Sequence, residues 1–477
     1  MGCTAIAPGM SASERARYIQ DNLPAGLFRV AEAGEERVAW RIAPEPFALS
    51  PATMQALETL GDQLLAFYRA LNTLYTRSAR GTAPVFLAEY LDQGKPEHVI
   101  RLARQNRFRN DVVGVIRPDL ILTEDGFVAT ELDSLPGGMG FVSAMADQYC
   151  RIGFESAGGV DGIPRGFAAL ISELAGTPHP VAAIVVSEES ADYRNELTWL
   201  ANRITTSGFA TVYCAGPQDV VFTEQALFVR LADGREEKID VLYRNFELFD
   251  LLNVPKWELM FYAARKNRVR MTPPPKAQLE EKLAFALLHH PALEDLWKSE
   301  LGKDFEGLRA LFPPTWVVDP RPLPPQAAIV SLCVGERPVF DWMQLSALGK
   351  SERDFVLKPS GFSEISWGAR GVRIANDLSR EEWTAALQEA LASYPRTPYV
   401  LQRFRKGRRV RAEWWDTTSG EMRQMDGRVR LSPYFFVAEG RTRLGGILAT
   451  IVPADKRLIH GMRDAIMAPC IVTESGL

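Results

Sequence analysis

Two stretches of this chain, far apart in sequence, constrain its fold more than any other feature, because each carries chemistry that needs the other. One is Val128-Ala129-Thr130-Glu131-Leu132-Asp133-Ser134-Leu135-Pro136-Gly137-Gly138-Met139-Gly140; the second is Phe355-Val356-Leu357-Lys358-Pro359-Ser360-Gly361-Phe362-Ser363-Glu364. Alternation along a strand puts Glu131 and Asp133 on one side, where two carboxylates with no cation nearby repel each other and resist desolvation. A divalent metal removes that difficulty. In the second stretch an apolar strand ends on a lysine and enters a Gly/Ser loop. That composition lets backbone N–H groups approach phosphate oxygens while the lysine neutralises them. Together the two stretches point to a magnesium-bound nucleotide.

With 477 residues, 46% of them hydrophobic, the chain can bury large cores and is expected to divide into more than one domain. A net charge of −4 argues against a dedicated partner in nucleic acid or an anionic membrane, so small molecules are the expected partners. The five cysteines (Cys3, Cys150, Cys214, Cys333, Cys470) contain no CxxC pair and are odd in number, which predicts a reducing, cytoplasmic setting. Neither a long apolar run nor a signal-peptide pattern is present, and the expectation is an uncleaved chain off the membrane.

Along the chain, residues from about 11 to 105 read as mostly helical, with apolar residues at helical spacing from Pro51 to Thr76. Thr123-Glu124-Asp125-Gly126 then supplies a turn between two strands, and this hairpin delivers Glu131 and Asp133. Val181 to Val186 reads as a buried parallel strand, followed by a helix over 193–206 and a strand over 209–214, which is a βαβ unit. A later strand, Ile239 to Tyr243, ends on Arg244. In an open α/β sheet ligands meet strand C-termini, so Arg244 is placed either to hold an anionic group or in a surface ion pair. Lys276 opens a helix expected over Ala277 to His289, another helix is expected over Arg380 to Ser393, and Tyr399 to Phe404 reads as a strand. Pro313-Pro314 and Pro320 to Pro325 mark joints. The expected organisation is α/β (α+β), with residues 1–177 forming a helical region plus the hairpin, 178–265 a βαβ domain, and 266–477 the remainder.

This order of parts resembles the ATP-grasp superfamily, in its permuted branch of glutathione synthetase and, more loosely, glutathionylspermidine synthase. The resemblance spans about Arg107 to Gly446 and rests on order and spacing. It implies the ATP-grasp fold of the glutathione synthetase type, with the βαβ unit as an inserted substrate domain, ATP and Mg²⁺ as cofactors, and a homodimer. It assigns metal to Glu131, Asp133 and Glu364, although Asp stands where the family has Asn, and the loop after Glu364 is poorer in glycine. Phosphate contacts fall to Lys276 and Lys358, with Gly361, Ser363 and Gly368 in the loop. Adenine contacts fall to Gln402 and the Phe404 backbone. Substrate carboxylates fall to Arg109, Arg244 and Arg430, with Arg428 as the rival of Arg430, and Gly445-Gly446 becomes a mobile loop covering the site.

The activity implied is ATP-dependent joining of a carboxylate to an amine through an acyl phosphate. The rival is a catalytically silent relative that keeps the fold and binds a nucleotide or a partner. Each residue also has a plainer role open to it: Glu-x-Asp as a solvated strand edge, Lys358 as a strand end in water, His289-His290 as a cap, and the basic run from Arg403 to Arg411 as a solvated rim.

Overall fold

The computed structural model describes residues 9–24, 26–27, 29–32, 35–38, 40–322, 329–461 and 464–477. Cys3 and the end of the joint read over Pro320 to Pro325 lie outside the described residues.

An eight-stranded sheet forms the centre, in the order Arg409–Asp416, Arg41–Ile42, Ile466–Val472, Arg441–Pro453, Glu421–Ala438, Val115–Thr123, Gly126–Asp133, with Phe47–Leu49 paired to Ile466–Val472. Helix Pro51–Ala79 lies against it. Ser50 caps that helix by accepting the Thr53 N–H at 3.2 Å, and Pro51 starts the first turn, where its missing N–H is harmless. The apolar stripe Leu57, Leu60, Leu64, Leu71 packs in one core with Phe435 and Ile447 of the sheet.

A second sheet is wholly parallel, in the order Arg270–Thr272, Val241–Asn245, Val181–Val186, Thr211–Ala215. Its two central strands, Val181–Val186 and Val241–Asn245, are buried on both faces because each face carries its own core. Helix Arg194–Thr206 makes the crossover between Val181–Val186 and Thr211–Ala215. The strand ends Asn245 and Val186 therefore share one edge.

The third sheet is antiparallel, in the order Thr315–Val318, Tyr399–Arg403, Phe355–Pro359, Arg373–Ile374. It is backed by helix Arg380–Ser393, whose capping box joins Ser379 and Glu382.

The structure departs from the sequence reading in two places. Residues from about 11 to 105 are mostly helical as expected, in Ala12–Asn22, Pro51–Ala79, Val85–Asp92 and Glu97–Ala103, but short strands Arg29–Glu32, Glu35–Val38, Arg41–Ile42 and Phe47–Leu49 stand between the first helix and the long one. The helix expected over Ala277 to His289 is broken into a 3-10 turn, Ala277–Glu280, and an α-helix, Leu283–His289, because residues 280–282 turn outward to separate ionic partners.

Candidate functional site

The hairpin strands Val115–Thr123 and Gly126–Asp133 pair with Arg117 opposite Asp133 and Asp119 opposite Glu131. With a side-chain period of two, these four charges share one sheet face. The adjoining strand Glu421–Ala438 adds Arg430 and Ser432 to it. Arg117 reaches Asp133 at 3.0 Å and Asp119 at 3.3 Å, Arg430 donates to Asp119 at 2.9 Å, and the Ser432 hydroxyl donates to the same carboxylate at 3.0 Å. Above this face lies a cavity of about 470 Å³ lined also by Tyr193, Glu196, Tyr434 and His460.

The far wall of the cavity is the start of helix Met139–Arg151. Its first-turn amides would attract an anion, and Glu196 already supplies one, accepting from Gly138 N–H at 2.5 Å and Phe141 N–H at 3.0 Å. Burial raises the Glu196 carboxyl to about 6 despite those amides.

Lys358 lies beside Glu131, outside the cavity lining. Its Nζ donates to the Thr130 carbonyl at 2.8 Å and to Gln402 Oε1 at 2.9 Å, which joins the third sheet to the hairpin strand that carries Glu131. Lys282 pairs with Glu131 at 2.9 Å. Burial pushes the Glu131 carboxyl up, but Lys282 and Lys358 overcome it and hold the group at about 2. Burial also lowers the Lys358 ammonium to about 8, against the pull of Glu131.

Lys276 is elsewhere. Its buried ammonium donates to Asn72 Oδ1 at 2.7 Å and to the carbonyls of Asp111 and Arg109 at 2.8 and 3.1 Å, so it fastens a turn and faces no phosphate locus. The three proposed metal carboxylates are not assembled either. Glu131 is paired with Lys282, Asp133 with Arg117 and the Leu135 N–H, and Glu364 begins a 3-10 turn, Glu364–Ala369, that contains Gly368. Among the described residues no group of three metal-ligating side chains occurs. The premise that Glu131 and Asp133 lack nearby cations is corrected by Arg117, Lys282 and Lys358.

The loop after Lys358 is turned toward protein. Gly361 N–H donates to Glu281 at 2.9 Å, and a Cβ on Gly361 would stand 1.9 Å from the Glu280 carbonyl, so only glycine allows this approach. The Ser363 carbonyl accepts the Ser366 hydroxyl. Gln402 is fully engaged between Lys358 and Thr315, and the Phe404 N–H donates to the Asp354 carbonyl, which removes that donor from adenine recognition.

Gly445 and Gly446 form no covering loop. They sit buried inside strand Arg441–Pro453, at a bulge opposite Tyr434 and Phe435, and a Cβ on Gly162 would come within 2.2 Å of the Gly445 carbonyl. Arg109 is exposed in a turn beyond the cavity lining. Arg428 donates to the Gly407 carbonyl at 3.0 Å, so of the two rival arginines only Arg430 faces the cavity.

Arg244 is fully buried at the strand end and forms an ion pair with Glu280. Burial, then the Glu280 carboxylate, pushes the neighbouring Glu247 up to about 8 from its ordinary 4.5. A raised acid makes the folded protein hold a proton that the unfolded chain releases, so its cost to stability grows as pH rises from 4.5 toward 8. Glu247→Gln is therefore expected to stabilise the protein by about 1–2 kcal/mol more at the upper end of that window than at the lower. Thermal melts of both proteins across the window check this, and an equal shift at every pH would refute it.

Lys282, Arg117, Asp119 and Glu196 are the site residues that motif reasoning missed. Arg117 and Asp119 had a signal in the sequence: period-two extension of the hairpin back from Glu131 and Asp133. Lys282 had none, since an unbroken helix through residue 282 points it away.

No family model matches the chain, and no curated protein does. Among solved structures, a glutathione synthetase-like effector from Globodera pallida, in its apo form, superposes with a TM-score of 0.59 over 97% of both chains at 12% identity. The fold is glutathione synthetase-like. A candidate gamma-glutamylcysteine synthetase from Methylobacillus flagellatus aligns over 88% of each chain with a TM-score of 0.37 and 10% identity, too distant to bear on the fold. Among the described residues no helix is long and apolar enough to cross a membrane.

Proposed function

We propose that this chain is an ATP-dependent carboxylate–amine ligase acting through an acyl phosphate. The observation that carries this reading is the convergence of Lys282 and Lys358 on Glu131, a carboxylate that lines a polar cavity of about 470 Å³ while the two lysines stand behind it, outside the lining. Two lysines from separate segments fit the oxygens of a triphosphate, whose charge on transfer is stabilised by cations already in place. ATP, when bound, supplies the phosphoryl group that activates the acid. Lys282 and Lys358 would hold its phosphates, while Arg117 and Arg430, fixed by Asp119, would orient the reacting acid beside it.

The carboxylates present do not fit Mg²⁺ as they stand. Glu131 and Asp133 would have to leave Lys282 and Arg117 to ligate an ion. This same saturation favours the second reading, a nucleotide-binding relative without turnover.

Partners under the ligase reading are a small carboxylate and a small amine, without nucleic acid or membrane, in a cytoplasmic homodimer. Supplying ATP with pooled amino acids, short peptides and polyamines, then measuring phosphate release and product masses, tests it. Release that depends on both an acid and an amine, with a new amide in the product, is the expected result. Tight ATP binding with no release in any pool would establish the silent reading instead.

A further inference from the structure

Three consecutive residues, Glu280, Glu281 and Lys282, each hold a different part of the molecule. Glu280 pairs with Arg244 at the end of the parallel sheet, and Lys282 pairs with Glu131 on the central hairpin. Glu281 between them is fully buried at its side chain and holds two further parts at once. Its Oε2 accepts from Lys95 Nζ at 2.6 Å and from the Ser360 hydroxyl at 2.7 Å, and its Oε1 accepts from Gly361 N–H at 2.9 Å. Lys95 belongs to the turn between helices Val85–Asp92 and Glu97–Ala103, and its side chain is 2% exposed. Ser360 and Gly361 follow the strand that bears Lys358.

From this arrangement we infer that Glu281 is the positioning residue that sets the distance between Lys282 and Lys358, and so the fit of the site to a triphosphate. It reaches nothing in the cavity itself. It precedes Lys282 directly in the chain, and through Ser360 and Gly361 it fixes the backbone two and three residues after Lys358. A carboxylate is required because one group must take a buried ammonium, a hydroxyl and an amide together, and only an ionised Asp or Glu offers enough acceptor sites without a competing donor. Lys95 supplies the charge that keeps Glu281 ionised in a dry setting; burial opposes that state, and the ammonium with the two hydrogen bonds restores it. The close approach of Gly361 to the Glu280 carbonyl shows that the loop is laid directly on this segment.

This inference rests on the nucleotide reading above, and the test keeps the two apart. Glu281→Ala alone would strand the Lys95 ammonium and endanger folding, so the variant used is the pair Lys95→Met with Glu281→Gln, which removes both charges at similar volume. Ser360→Ala is the second, milder variant. Melting temperature and MgATP affinity by calorimetry are measured for wild type and both variants, with KM for ATP and kcat wherever turnover is found. The paired variant is expected to melt close to wild type yet bind MgATP about 10- to 100-fold more weakly, the loss expected when two anchoring groups are mis-spaced by about an ångström. Ser360→Ala should show a smaller loss in the same direction, in KM before kcat. A purely structural role predicts the reverse pattern, a lowered melting temperature with unchanged affinity in the folded protein, and that would overturn the inference. If wild type itself binds no MgATP, both this inference and the nucleotide reading fall; if wild type binds and both variants bind equally well, only this one falls.

Discussion

Replacing Lys358 with methionine is expected to lower phosphate release from ATP by about 10²- to 10³-fold, the usual effect of removing one preorganised charge that faces a transferring group. Methionine keeps the apolar stem packed behind the strand Phe355–Pro359, so the third sheet retains its core. What is lost is the ammonium that joins Gln402 to the Thr130 carbonyl. The Gln402 oxygen is left without its donor in a buried setting, a cost of about 1–3 kcal/mol that should appear as a modest fall in melting temperature. Rate and melting therefore separate. A variant that melts a few degrees lower but turns over at the wild-type rate would place the phosphate site away from Lys358.

The second large effect is on stability. Arg244→Met should destabilise the protein by about 3–5 kcal/mol, because it leaves the largely covered Glu280 carboxylate without the fully buried cation it pairs with. The remaining carboxylate is expected to take up a proton, so the loss should be smaller in acid than at neutral pH. Denaturant unfolding at two pH values measures this directly. Restoring most of the stability with Arg244→Met plus Glu280→Gln would show that the stranded charge, not the lost side chain, is responsible. Were Arg244 a substrate anchor at the strand end, as one of its two sequence readings has it, the single change would raise KM and leave unfolding alone.

Much of the scaffold is legible before any coordinates. The hairpin through Gly126, the parallel strand Val181–Val186 with its crossover helix, and the helix Arg380–Ser393 follow from periodicity and turn chemistry, which are local. The two-residue strand Arg41–Ile42 is not, since it exists only because Ile466–Val472 and Arg409–Asp416 lie on either side of it. Glu280-Glu281-Lys282 reads as helix because each residue is a good helix former, and long-range ion pairs override that preference. That one break hides Lys282 and gives Lys276 a prominence its carbonyl partners do not support. The resemblance makes Gly445-Gly446 a covering loop, whereas those glycines serve the close passage of Gly158 and Gly162 across a strand.

Strand Ile466–Val472 lies in the middle of the central sheet, bonded to Arg441–Pro453 on one side and to the early strands Arg41–Ile42 and Phe47–Leu49 on the other. A nascent chain thus holds Arg41–Ile42 and Phe47–Leu49 without this central neighbour until nearly the whole polypeptide has left the ribosome. Synthesis halted ahead of residue 466 should yield a species with open sheet edges, prone to association or to capture by chaperones.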